Sequence, residues 1–190
     1  MSLATYAAVD GDESRLLLQV QERLIDRVKV GGNSAFNDKN CFVTEEPIPP
    51  ETYFSQGRMV CTVCLGDGQF DEYKYDGGGA NQLTEHVDLL VSVFTRTKLD
   101  QPPQATYALL DEERGMSRKL KPALLEALLV EDPDADILIP WIPLNSQGQP
   151  FLRNPPFPRR SQGPRQLQGM DWLGLTLSFG VEFDWDLTTK

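Results

Sequence analysis

Cys61 and Cys64 form the one C-x-x-C spacing of the sequence, a spacing that can hold a metal ion or exchange a disulfide. The residues around them, 58–65, are apolar and β-branched, which predicts a strand. Positions three apart in a strand point to opposite faces, so the two sulfurs would not share a metal ion. Cys41 makes the number of cysteines odd, and we predict three reduced, buried thiols, with metal or redox chemistry as the alternative.

His86 is the only histidine, so a catalytic triad built on serine or cysteine would have to include it. It lies in a run of alternating residues that places it with Thr84, Asp88 and Ser92 on the polar side of a strand. We therefore predict a solvated histidine on a sheet face. The glycine run at 77–79 lacks the lysine and hydroxyl of a phosphate-binding loop. The sequence thus predicts no catalytic residue, no metal site and no cofactor.

The composition is that of one folded, acidic domain spanning residues 1–190. Hydrophobic residues make up 40% of the chain and charged residues 24%, as in ordinary globular domains. A formal charge of −10 has the wrong sign for holding nucleic acid through its phosphates, so we predict no sequence-specific nucleic-acid partner. We also expect no membrane association and a cytoplasmic origin, because no apolar run approaches about 18 residues and the first residues do not resemble a secretion signal.

Hydrophobic periodicity predicts the elements that must position these residues. Apolar residues at three- and four-residue steps predict a helix over 12–29 and another over 106–130. Gly115 and Pro122 interrupt the second helix, which is either one helix with a break or two shorter helices that meet near Ser117. A short strand is predicted at 41–44, and longer strands at 58–65 and 83–97.

The C-terminal region carries the longest alternating pattern. From Leu173 to Leu187, apolar residues alternate with polar ones, which predicts a central strand of about 15 residues with one buried and one solvated face. We expect its end to extend past its neighbours in the sheet. The resulting fold class is α+β, a mainly antiparallel sheet with two helices packed on one face.

Two charged segments stand out as candidate partner contacts. Residues 66–82 predict a mobile acidic loop, and residues 137–170, with four arginines, seven prolines and no acidic residue, predict an extended arm. The arm is either a solvated loop or a docking element for an acidic partner, such as another copy of this chain. The candidate contact residues are Arg153, Arg159, Arg160 and Arg165 in the arm, and Asp71, Glu72 and Asp76 in the loop.

The order and spacing of the elements resemble the tail-terminator and tail-completion proteins of tailed bacteriophages, of the minor tail protein U type. The resemblance rests on the leucine-rich N-terminal helix, the paired strands through Val60 and Val91, the helix around 120–129 and a closing strand that ends in Phe183-Asp-Trp-Asp186. No short motif carries over a named site.

The resemblance implies a structural protein that is not an enzyme. Its partners would be further copies of itself in a ring, commonly a hexamer, the tail tube protein and a head-side connector protein. It would be found in the bacterial cytoplasm during assembly and then in the virion tail. The competing hypotheses are a small cytoplasmic α+β domain that binds a ligand, and an enzyme with an acidic cleft.

Overall fold

A five-stranded sheet carries two long helices on one of its faces. The computed structural model describes residues 11–30, 32–48, 51–54, 59–71, 82–96, 117–166 and 172–186. The helices in this part of the chain are α1 (Asp12–Arg27), the single turn α2 (Glu51–Phe54) and α3 (Ser117–Leu129). The strands are β1 (Lys29–Val30), β2 (Asn33–Ser34), β3 (Cys41–Val43), β4 (Met59–Phe70), β5 (Gln82–Arg96), β6 (Phe157–Gln166) and β7 (Trp172–Asp186).

The main sheet has the order β3-β4-β5-β7-β6, in which only the β3–β4 pair is parallel. The small β1–β2 hairpin follows α1 and turns at Gly32, whose φ of 86° favours glycine. The predicted α+β class, with two helices on a mainly antiparallel sheet, is confirmed. No helix in the described part of the chain is long and apolar enough to cross a membrane.

The core lies between the helices and one face of the sheet. Leu16, Val20 and Leu24 of α1 meet Leu120, Leu124 and Leu128 of α3 in one cluster. Alternate residues of β4, β5 and β7 complete that cluster from the side of the sheet, as the period of two requires. They are Cys61 and Val63 of β4, every second residue from Val87 to Val93 of β5, and every second residue from Leu175 to Phe183 of β7.

The C-terminal strand β7 is interior, and the prediction that its end projects beyond its neighbours was wrong on the side of β5. On the other side, the ladder with β6 covers Leu173 to Gly180 of β7 and stops before its end. Strand β5 has the same length and pairs with β7 from Gln82 opposite Asp186 to Arg96 opposite Trp172. The ladder is complete because the two strands match residue for residue, so β7 leaves no free end on this side.

The second face of the sheet is also buried in part, which corrects the prediction of a solvated face. Val60, Phe94 and Trp172 form a small apolar cluster there. Ser92 is fully buried, and its hydroxyl lies 2.8 Å from that of Thr176 across the β5–β7 pair. Alternation with small polar residues did not imply exposure, because paired hydroxyls can be buried when each has a partner.

The predicted acidic loop over 66–82 was wrong for residues 66–70, which continue β4. A bulge between Leu65 and Gly68 shifts the register, after which Gln69 and Phe70 pair with His86 and Glu85. Backbone hydrogen bonding to the long β5 continues even where the side chains of β4 become exposed. Residues 72–81, with Glu72 and Asp76, lie outside the described residues.

Over residues 157–166, the predicted arm is neither a free loop nor a free docking element. Residues 157–166 form the edge strand β6, paired with β7. Two bulges, between Pro158 and Arg160 and between Gln162 and Arg165, interrupt the ladder. An edge strand with bulges accommodates proline, which lacks the N–H for a complete ladder, so the prolines did not exclude a strand.

The two faces of β7 give a direct test of this packing. Phe179 is fully buried in the core, and its replacement by alanine should lower the free energy of unfolding by about 3–5 kcal/mol. Its neighbour Ser178 is buried, but its hydroxyl has no hydrogen-bond partner among the described residues. Ser178→Ala should therefore lower the free energy of unfolding by no more than about 0.5 kcal/mol, or should raise it. Denaturant unfolding of both variants measures the difference, and a large loss for Ser178→Ala would contradict the packing.

Candidate functional site

His86 lies between two carboxylates on the second face of the sheet. Its Nε2 is 2.8 Å from Oδ1 of Asp71, at the end of β4, and its Nδ1 is 3.2 Å from Oε1 of Glu182 on β7. Ionised carboxylates only accept hydrogen bonds, so the imidazole is the donor in its hydrogen bond to Asp71, and Glu182 lies within ion-pair distance of Nδ1. The side chain of His86 is 28% exposed, and the prediction of a solvated histidine missed both of its contacts.

Further polar contacts join the loop before β6 to the same end of the sheet. The side chain of Asn154 donates to Oε2 of Glu182 at 2.5 Å. Arg153 donates to the hydroxyl of Thr84 at 3.0 Å, and that hydroxyl lies 2.8 Å from Oδ1 of Asp184. We call these residues the polar end: Asp71, Thr84, His86, Arg153, Asn154, Glu182 and Asp184.

The polar end ties strands together and lacks the arrangement of a nucleophile and a base. Among the described residues, no hydroxyl or thiol is hydrogen bonded to His86, which such an arrangement requires. Within the same described ranges, no group of three or more histidine, cysteine or acidic residues could hold a metal ion. The contacts found here instead connect β4, β5, β7 and the loop at Arg153.

The candidate arginines of the predicted arm are separated by the structure. Arg153 belongs to the polar end. Arg159 crosses β7 above Gly180 to reach Oδ1 of Asp88 on β5 at 3.0 Å. A Cβ atom at Gly180 would lie 2.6 Å from Nε of Arg159, so this crossing requires glycine there.

The side chain of Arg160 is exposed on the edge strand β6. Arg165 lies on the same strand, opposite Gly174. Of the acidic candidates, Asp71 is exposed and contacts His86 of its own chain. Among the candidates whose side chains are described, the structure brings Asp71 and Arg153 to the polar end and places Arg159 and Arg160 elsewhere, on β6.

An open cleft of about 750 Å³ lies between α1 and the segment 140–150. Its lining includes Arg15, Gln19 and Glu22 of α1 and Trp141 and Leu144 of the segment. The segment turns back on itself, so that Leu144 and Pro150 form an isolated bridge, and its first residue, Pro140, forms another with Val130. Sequence reasoning did not identify this cleft.

Two side chains of α1 attach the segment to the helix. The amide of Gln19 donates to the carbonyl of Leu144 at 2.5 Å and accepts from its N–H at 3.0 Å, as a neighbouring strand would. Arg23 donates to the carbonyls of Ala127 and Val130, forms an ion pair with Glu131 and stacks on Trp141. The periodic pattern of α1 shows only that both residues lie off the apolar stripe, so the sequence offered no signal for these contacts.

All three cysteines are free thiols, and all three are buried. Cys61 lies in the core on the helix-covered face, and Cys64, three residues on, belongs to the other face. Cys61 lies opposite Cys41 in the parallel β3–β4 pair. Burial, with a contact to Cys41, raises the pKa of Cys61 well above its ordinary value, and burial raises the pKa of Cys64 to about 11. Both groups stay protonated at neutral pH and are poor nucleophiles.

Comparison with known proteins does not add a family. No protein-family model matches this chain, and no curated protein matches it. The function must therefore be argued from the surfaces of the molecule.

The cysteine pKa gives a pH prediction. Folded Cys64 keeps its proton to about pH 11, whereas the unfolded thiol releases it near pH 9. Between these values the unfolded state binds fewer protons, so stability that is present below pH 9 is lost as the pH rises toward 11. Cys64→Ala should make that loss smaller, and Ser146→Ala, an exposed control, should leave it unchanged. Urea unfolding at several pH values measures the slope, and equal slopes in all variants would contradict the assignment.

The attachment of the segment 140–150 gives a second prediction. Gln19→Ala removes both hydrogen bonds to Leu144, and amide hydrogen exchange of Leu144 should become about fivefold faster for a bond worth about 1 kcal/mol. Gln147→Ala, an exposed control on the same segment, should not change it. Unchanged exchange in Gln19→Ala would show that the segment is held without the hydrogen bonds of Gln19.

Proposed function

We propose that this protein is a ring-forming structural component of a phage or prophage tail, of the tail-terminator type, which caps the tail tube and joins it to the head-side connector. The observation that carries this proposal is a strip of three successive exposed aliphatic residues. Ile137, Leu138 and Ile139 are 76%, 73% and 48% exposed. Contiguous exposed apolar side chains of this kind mark protein contacts, because leaving them in water is unfavourable.

The surroundings of the strip support assembly over catalysis. Exposed acidic residues precede it directly, at Asp132, Asp134 and Asp136. Two further exposed apolar side chains, Phe70 at 57% and Trp185 at 39%, lie together at one end of the sheet, where both are next to Glu85. A protein that meets neighbours on several sides can use such separate patches.

The overall charge suits a component through which DNA passes. With a charge of −10, the walls of a ring of these chains would repel the phosphate backbone, so the DNA would not adhere. In this proposal the protein acts in the bacterial cytoplasm during assembly and then remains in the virion tail. It has no catalytic role.

The second candidate function is the binding of a small ligand in the cleft between α1 and the segment 140–150. A volume of about 750 Å³ lies in the range of about 300–1,000 Å³ that is typical of small-molecule sites. The cleft is open, and the charged groups along it include Glu131, which is already paired with Arg23. An enzyme would in addition need a catalytic group, for which His86 is the sole imidazole.

The proposal is tested by mixing the purified protein with unterminated tail tubes, or with tubes of the cognate tube protein, and imaging the tube ends by electron microscopy. We expect density at tube ends that is absent without the protein. Leu138→Asp should reduce the fraction of capped ends, whereas Gln147→Ala, an exposed polar control, should not. Bare ends with the unaltered protein, together with turnover of a small substrate that is lost in His86→Gln, would overturn the proposal in favour of an enzyme.

A further inference from the structure

The aliphatic strip sits on a loop of defined shape. We call residues 132–139 the acidic–aliphatic loop. Its base is closed by the N–H of Glu131 bonding to the carbonyl of Ile139 at 2.7 Å, and by the N–H of Trp141 bonding to the carbonyl of Leu129 at 3.1 Å. Inside the loop, the N–H of Asp134 bonds to the side chain of Asp132 at 3.0 Å. A loop that is ordered in advance loses little entropy when it docks.

A small groove elsewhere on the molecule has the complementary character. It lies between Lys121 and Leu125 of α3 and Pro158, Arg160 and Ser161 of β6, with a volume of about 200 Å³. We call it the basic groove. Its size is below the roughly 300 Å³ at which small-ligand pockets begin, and it suits one aliphatic side chain. Leu125 and Pro158 supply apolar contact, and Lys121, Arg159 and Arg160 supply positive charge, of which Arg159 is already paired with Asp88.

We propose that the acidic–aliphatic loop of one copy docks into the basic groove of a second copy, with Leu138 entering the groove and Asp136 facing Arg160. This inference rests on the ring assembly proposed above and names the contact that forms it. The choice of a second copy as the occupant follows from charge: the loop carries three exposed aspartates, and the lining of the groove includes three cationic residues of the same chain, Lys121, Arg159 and Arg160.

The loop does not fill the groove of its own chain. Leu138 remains 73% exposed, and no residue of the loop lines the groove. The groove lies beside Lys121 and Leu125, whereas the loop begins after α3 ends at Leu129. Two different surfaces that meet head to tail close into a ring when the rotation between copies allows it.

The form of β6 favours this side-chain contact over strand pairing between copies. Its edge carries Pro158, two bulges and exposed Arg160, all of which oppose the addition of another strand. In the docked state, the aliphatic side chains supply most of the affinity, and the exposed charges mainly set the register.

Cross-linking tests the contact directly, because all three native cysteines are buried. Leu138→Cys is mixed with Ser161→Cys at the highest soluble concentration and exposed to a mild oxidant that forms disulfides. A product that joins the two variants must be intermolecular, and we expect it to form. The matched control replaces Ser161→Cys by Asp67→Cys, an exposed position on β4 that is separated from β6 by β5 and β7.

Charge reversal tests the same contact independently, and cross-linking is again the measurement. Adding Asp136→Lys to the Leu138→Cys variant should slow cross-linking roughly tenfold, and adding Arg160→Glu to its partner should restore it. Cross-linking no faster than the Asp67 control, or unaffected by Asp136→Lys, would overturn the contact.

These outcomes are distinguishable from those of the tube experiment. Tubes that are capped equally well by Arg160→Glu would support the tail function and overturn this contact. Specific cross-linking without capping would support the contact and overturn the tail function.

Discussion

The full-length pairing of β5 with β7 is the constraint on which the rest of the molecule depends. Both strands have 15 residues, and each residue of one has a partner on the other. This ladder sets which residues of both strands face the helices and which face away, because a slip of one position would exchange the two sets. The core, the hydroxyl pair of Ser92 and Thr176 and the contact of His86 with Glu182 all follow from that one register.

The elements with strong periodicity could be predicted from the sequence, and the weakly periodic ones could not. The alternation from Leu173 onward and the leucine spacing in α1 each report one buried face, which is the information that periodicity contains. Strand β6 has no such pattern, since the side chains of residues 157–162 are exposed and its backbone bonds to β7. A strand held by its backbone at an edge leaves almost no trace in the order of apolar residues.

The candidate site residues divide in the same way, into features that a local pattern predicts and contacts that it does not predict. The opposite orientation of Cys61 and Cys64 is a local property of a strand and was predicted correctly. The contacts of His86, Arg153 and Arg159 depend on which strands are neighbours and on where the bulges fall. A single sequence does not contain that information in a local form, and the same is true of Gln19, which bonds to a residue 125 positions away.

The position of β7 in the chain also constrains how the molecule folds. The side chains of Thr84 and Asp184, which meet across the β5–β7 pair, are 100 residues apart in sequence. Contacts between such distant residues form slowly, because a long loop must close before they contribute any stability. During synthesis β5 emerges well before β7, and until β7 arrives β5 has an unpaired edge that invites pairing with other chains. The yield of correctly folded protein should therefore depend more on the folding conditions than it does for a domain made of local hairpins.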